Sequence, residues 1–149
     1  MKVIIQVVDN ASVEIAGNIY NQVEHGYLMY VGINQNDKIE DVHQMVNKIA
    51  KLRICPDQNG KINKNGLDDN REILSISQFT LYANFSEGNR PSFTDAKKPD
   101  EAELLYLIFN QKLEESGFTV KPGVFGAEMK ISSLNNGPLT FVLENNKMD

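Results

Sequence analysis

Two stretches combine residue types that can act on a carbonyl substrate: Ser77-Gln78-Phe79-Thr80-Leu81 and Asn135-Asn136-Gly137-Pro138-Leu139-Thr140. The first sets two hydroxyls and an amide among apolar residues, in a run with strand character that suits the wall of a pocket. The second places Gly137-Pro138 between two strand-like runs, Met129 to Leu134 and Leu139 to Leu143. Proline fixes its own φ and has no N–H, so it belongs in a turn or at an edge. The X-Pro bond admits the cis form at a cost of only about 0.5–1 kcal/mol, so this dipeptide can make a sharp corner that aims two carbonyls in one direction. The same dipeptide is also ordinary hairpin chemistry.

Ser77 and Thr80 become nucleophiles only beside a base. No His or Lys lies within the motif, which leaves three readings of these hydroxyls: nucleophile, pocket-lining donor, or strand residue chosen for β-branching. His25 and His43 are the only histidines and Cys55 the only cysteine, without zinc-ligand spacing, so neither metal nor cofactor is expected. Catalysis without a side-chain triad would rest on positioning and on backbone donors that stabilise a developing oxyanion.

The elements that must hold these stretches follow from periodicity. Lys2 to Val8 is Val/Ile-rich and reads as a buried strand. Ser12 to Ile15 and Asn18 to Val23 flank Ala16-Gly17 as a hairpin, and Tyr27 to Ile33 is a further strand. Asp37 and Glu40 form a capping-box pattern ahead of Ile39, Val42, Val46 and Ile49, which predicts an amphipathic helix over 38–52. Turn signals crowd residues 53–70, and Ile73 to Ala83 returns to a strand pattern. Residues 84–99 form a polar loop; Asp100 and Glu103 then open a second helix over 101–116, stopped by Gly117. Phe118 to Val120 and the runs around Gly137-Pro138 complete the strands. The pattern is α+β: a curved antiparallel sheet or barrel-like core with two amphipathic helices packed outside, in one domain spanning 1–149.

With 41% hydrophobic and 23% charged residues, the chain has the composition of an ordinary soluble globule. The first residues lack the apolar core of a signal peptide, no stretch is long and apolar enough to span a membrane, and one cysteine excludes an internal disulfide framework. A cytoplasmic protein is expected. The net charge of −5 opposes broad capture of nucleic acid, which draws on clustered cations. Arg90, Lys97 and Lys98 lie close enough in sequence to form a local patch, or to be plain solvated surface.

Ser-Gln-Phe-Thr-Leu at 77–81 and Asn-x-Gly-Pro-x-Thr at 135–140 resemble the two motifs of the D-aminoacyl-tRNA deacylases. Ala11-Ser12-Val13, Gly60-Lys61-Ile62-Asn63, Gly88 to Phe93 and Phe125-Gly126-Ala127-Glu128-Met129 resemble further blocks of that family in the same order, so the resemblance covers the chain. It implies a homodimer that hydrolyses the ester of D-aminoacyl-tRNA, and of glycyl-tRNA, with help from a hydroxyl of the terminal ribose. Ser77, Gln78, Phe79 and Thr80 then form the wall that binds adenosine and ester. Gly137 and Pro138 form a tip that enters the partner's pocket and leaves no room for an L side chain. Met129 lies near the terminal adenine, with Phe125 and Arg90 as further substrate contacts; core packing is the other reading of Phe125 and Met129. One departure stands out: the family pattern Gln-Arg-Val reads Gln6-Val7-Val8 here, which removes a cation near the tip. A non-enzymatic nucleic-acid or protein interaction module on the same fold is the alternative, favoured by the missing side-chain catalyst and the negative charge.

Overall fold

The structure, a computed structural model, describes residues 1–148. Its longest early element is β1 (Lys2–Ile15), which turns through Ala16-Gly17 into β2 (Asn18–Val23). Both turn residues have positive φ, 50° and 82°, as a tight hairpin of this hand requires. The two strands expected at Lys2 to Val8 and Ser12 to Ile15 are thus one continuous strand. β3 (Gly26–Gly32) pairs with Lys2 to Val8, whereas β2 pairs with Ala11 to Ile15, so β1 divides one edge between two neighbours.

α1 (Ile39–Lys51) buries Val42, Met45, Val46 and Ile49, the expected stripe except for Ile39, which is exposed at the first turn. Its cap is displaced by one residue. Lys38 is the N-cap and its N–H donates to Asp41 Oδ2 at 2.8 Å, because Asp37 is taken by the Met1 ammonium at 2.5 Å and by the Asn34 N–H at 2.6 Å. β4 (Cys55–Pro56) and β5 (Ile62–Lys64) form the small ribbon that the turn-rich segment foreshadows. β6 (Glu72–Ser77) follows, then α2 (Pro99–Glu115), β7 (Val120–Pro122) and β8 (Lys130–Glu144). α2 starts earlier than expected, with Pro99 at its first position, where a missing N–H is harmless.

The barrel-like sheet with two helices outside is as expected, but its pairing is mixed. β6 runs parallel to β3, and β7 runs parallel to β6. A helix separates the strands of each parallel pair in sequence, α1 in one and α2 in the other, and such crossovers return the chain in the same direction. The sheet almost closes: Asn21 on β2 donates to the Pro122 carbonyl on β7 at 2.7 Å.

Strand alternation then splits the core. Tyr27, Met29 and Val31 face the helices and pack with Val3, Ile5, Met45, Phe109 and Leu113, while Leu28, Leu74 and Ile76 meet Val8, Val13 and Val23 on the other face. Around Tyr27 the packing is tight. Its hydroxyl lies 2.8 Å from Cys55 Sγ, and a Cβ on Gly66 would fall 2.6–2.9 Å from its ring and hydroxyl.

Two expectations fail at strand ends. Ser77 closes β6, and Phe79–Tyr82 form a short 3-10 turn rather than strand. β3 ends at Gly32, so the chain beyond Gln78 has no ladder to join once the Gln78 N–H has reached the Val31 carbonyl at 2.8 Å. The turn folds over Gly32 instead, where an added Cβ would stand 3.0 Å from Leu81 Cβ. The corner expected at Gly137-Pro138 is also absent. Both flanking runs pair with β1 as one antiparallel strand, and residues 136–139 bulge out opposite the single residue Val7.

Gly66→Ala is expected to destabilise the fold by about 1–3 kcal/mol, read as a lower urea midpoint with an unchanged m value. A second outcome concerns Asp69, which receives Lys64 Nζ at 3.0 Å and Arg71 Nε at 2.8 Å. Burial works against its ionisation, yet the Lys64 hydrogen bond and the Arg71 and His25 charges outweigh burial and hold its carboxyl below the usual carboxylate range. A depressed carboxylate contributes stability that is present above its unfolded pKa of about 3.9 and is lost as pH falls through the folded value. Asp69→Asn should therefore flatten the acid limb of a Tm-against-pH curve below about pH 4.

Candidate active site

Parallel strands end together, and the space beyond their carboxyl ends is where open α/β sheets hold ligands. Here Val31 and Ile33, at and just beyond the end of β3, and Ile76 and Ser77 of β6 floor a cleft of about 570 Å³. α2 begins at its rim with Lys98 and Pro99 and contributes Ala102 and Tyr106, one turn apart, to its wall. The opposite side comes from the segment before β8, with Phe125, Gly126, Ala127 and Met129, and from Ile131. Gln78, Phe79 and Phe93 close the third side.

The floor is fixed by a buried polar cluster behind it. Tyr106 donates to the Ser75 carbonyl at 2.7 Å, and Ser75 Oγ donates to Asn110 Oδ1 at 2.7 Å. Burial pushes the Tyr106 hydroxyl up, so it remains a donor near neutral pH. The Gly123 N–H also reaches the Ser75 carbonyl, at 2.9 Å, and a Cβ on Gly123 would meet Met129 Sδ at 2.6 Å. These bonds seat Met129 and the Tyr106 ring, whose centroid lies 6.0 Å from that of Phe125.

The mouth is aromatic and partly cationic. Phe79 is 57% exposed and meets Phe93 edge-on at 4.9 Å between centroids. Phe93 belongs to a loop tied at two isolated bridges, Asn84 to Ser92 and Asn34 to Ala96. Lys97 is engaged, its Nζ donating to the Gln35 carbonyl at 3.0 Å and to Glu101 at 3.4 Å, whereas Lys98 is exposed at the rim.

Ser77, Gln78, Phe79, Phe125 and Met129 all line this cleft. Thr80 is exposed just outside it and accepts a hydrogen bond from Gln78 Nε2. Arg90 stands exposed on the loop above, not in the lining. Among the described residues no cluster of His, Cys, Asp or Glu is arranged to hold a metal ion. Tyr106, Ala102 and Phe93 are cleft residues that sequence reasoning did not single out. On α2 the first two read as core, and only their four-residue spacing marks a common face.

Gly137 and Pro138 are exposed and lie outside the cleft of their own chain. The peptide bond between them is cis. The base of their bulge is pinned by side chains: Asn135 Oδ1 accepts from the Leu139 N–H at 3.2 Å, Thr140 Oγ1 accepts from Asn135 Nδ2 and Gln6 Nε2, and Asn136 Nδ2 donates to Asp9 at 3.0 Å. Val7, beneath the bulge, is 2% exposed and packs in the core.

Known proteins match nearly the whole chain. The family model described as D-Tyr-tRNA(Tyr) deacylase matches residues 4–144. The "D-aminoacyl-tRNA deacylase" of Lactobacillus gasseri is 46% identical over 144 residues, 97% of this chain and 99% of that protein. A solved structure described as "c-Myc DNA Unwinding Element Binding Protein" superposes with a TM-score of 0.91 at 36% identity, covering 97% of this chain and 98% of the other. A structure described as that of "a probable eukaryotic D-amino acid tRNA deacylase" shares the fold, with a TM-score of 0.84 at 14% identity over 95% and 97% of the two chains. On that match, and on a relative so similar over its whole length, the chain belongs to the D-Tyr-tRNA(Tyr) deacylase family.

Proposed function

We propose that this protein hydrolyses the ester joining a D-amino acid to the 3′ end of tRNA, releasing free amino acid and tRNA. The observation that carries the reading is the placement of Ser77, Gln78 and Phe79 in this cleft of a chain with full-length deacylase relatives. The cleft suits the end of a nucleic-acid strand. Its apolar walls, with Met129 and Tyr106, take an adenine; Phe79 and Phe93 offer faces and edges on which bases stack, and Lys98 faces the phosphates. An acidic protein needs no broad cationic surface if it reads only this end.

No activated side-chain nucleophile stands in the cleft, and Thr80 serves the pocket through Gln78. Backbone groups of residues 77–80 hold the ester, and the neighbouring hydroxyl of the terminal ribose assists attack by water. An aminoacyl ester is labile, so positioning alone accelerates its loss.

Chirality is read by exclusion. Gly137 and Pro138 are exposed and absent from the lining of their own cleft, which suits a tip that acts in the cleft of a second copy, in a homodimer. The exposed Leu134 and Val142 of β8, 55% and 62% accessible, supply apolar surface on the same strand for that contact. A barrier to L side chains does not reject glycine, and glycyl-tRNA is a second substrate. No helix among the described residues is long and apolar enough to cross a membrane, and a cytoplasmic role in translation quality control fits the substrate.

Single-turnover hydrolysis of D-tyrosyl-, L-tyrosyl- and glycyl-tRNA tests this directly. Loss of the D and glycyl esters with the L ester spared, in wild type and in Thr80→Ala alike, is the expected pattern; an intact D ester refutes the activity. The second reading, a nucleic-acid-binding module, is favoured by the description of the 36% identical neighbour and predicts salt-dependent binding without turnover. Phe93→Ala separates binding from chemistry: loss of one stacking face is worth about 1–3 kcal/mol, so KM should rise about tenfold while kcat stays near the wild-type value.

A further inference from the structure

The bulge that carries Gly137-Pro138 is suspended from two points on β1: Gln6, paired with Thr140, and Val8, paired with Asn135. Gln6 is tied through its own side chain to Thr140. Val8 lies at a harder place. It forms the last pair with β3, opposite Gly26, before β1 passes to β2, so main-chain groups of two strands meet a change of neighbour here.

Arg71 supplies the donor. Its Nη1 reaches the Val8 carbonyl at 3.4 Å and the Gly26 carbonyl at 3.2 Å, clamping both strands where they part. Its Nε donates to Asp69 Oδ2 at 2.8 Å, and its guanidinium lies 5.9 Å from the centroid of the Tyr27 ring. Arg71 is 8% exposed, and a cation so buried is tolerated only where it is paired and hydrogen-bonded. Three acceptors and a ring face demand a planar fork, which Lys lacks. Tyr27 is also the cross-strand neighbour of Val7, the residue beneath the bulge. From the clamp to the tip the path is short: the Val8 carbonyl, then Asp9, whose carboxylate receives Asn136 Nδ2, then Gly137.

We propose that Arg71 is a positioning residue for the Gly137-Pro138 tip and, through it, a determinant of the discrimination between D and L esters. The proposal rests on the reading of that tip as the chiral filter. Arg71 itself touches no substrate, since it lies outside the cleft.

The test measures D-tyrosyl- and L-tyrosyl-tRNA hydrolysis for wild type, Arg71→Lys, Arg71→Met and Arg71→Met with Val7→Arg, each below its own Tm. A displaced tip should lower the D-over-L ratio of Arg71→Met by about 10–100-fold, the scale of a misplacement of about 1 Å at a reacting centre. Arg71→Lys should fall between. Val7→Arg, which returns a guanidinium beside Tyr27 from the facing strand, should recover part of the ratio. A purely structural role would lower Tm and leave the ratio at its wild-type value, and that result in folded Arg71→Met overturns the proposal. Should Arg71→Met fail to fold, an unchanged ratio in Arg71→Lys overturns it equally. A wild type inert toward the D ester is a separate result, which removes the deacylase reading and the proposal with it.

Discussion

Main-chain pairing along both edges of β1 is the constraint from which the rest of the molecule follows. Every buried N–H and carbonyl of a central strand must find a partner, and β1 finds them in three strands at once: β8 along one edge, β3 and then β2 along the other. A strand shared in this way has to bend where one neighbour gives way to the next. Near the changeover the register with β8 shifts twice, between Gln6 and Val8 and again between Val8 and Asn10. At the first shift β8 carries surplus backbone, residues 136–139 opposite Val7, and that surplus is the bulge that bears Gly137 and Pro138.

The cleft arises at the other end of the same sheet by a different logic. β3 and β6 are parallel because α1 carries the chain back between them, so their carboxyl ends finish side by side. With β3 exhausted at Gly32, the chain after Ser77 turns over and offers Gln78 and Phe79 to the space beyond the strands. α2 then covers that space with its first turns, held down by the bond from Tyr106 to the Ser75 carbonyl. The wall motif is therefore set by where a ladder stops, and the tip by where a ladder slips.

Local pattern made much of this legible. The amphipathic stripe of α1, the Ala16-Gly17 hairpin and the Gly117 stop are all signals contained within a few residues, and they appear where the sequence places them. What escaped was decided by partners distant along the chain. Asp37 looks like a helix cap, but the Met1 ammonium claims it. The 77–81 run has the composition of a strand, but no neighbour remains for it to pair with. Gly137-Pro138 looks like a hairpin corner, but β1 continues past it and keeps both flanks in line. Of the cleft, the residues within motifs were readable through family resemblance, while Ala102 and Tyr106 were hidden in a helix face that reads as core. Arg71 gave no signal at all, since its partners include two backbone carbonyls that only the fold brings together. Parallel pairing is likewise invisible to periodicity, which marks a strand but not its direction.

The exposure of Gly137 and Pro138 outside their own cleft, joined to the proposed exchange of tips, has a genetic consequence. In a dimer built with exchanged tips, each cleft is assembled from two gene products' worth of sequence, wall from one subunit and tip from the other. A subunit damaged only in its tip spoils the partner's cleft and keeps its own wall serviceable; a subunit damaged only in its wall does the reverse. Mixed dimers of the two lesions would then contain one cleft with both defects and one with neither. Alleles that are inactive alone would complement each other in the same cell, up to half the sites of each mixed dimer, whereas two lesions in one motif would not.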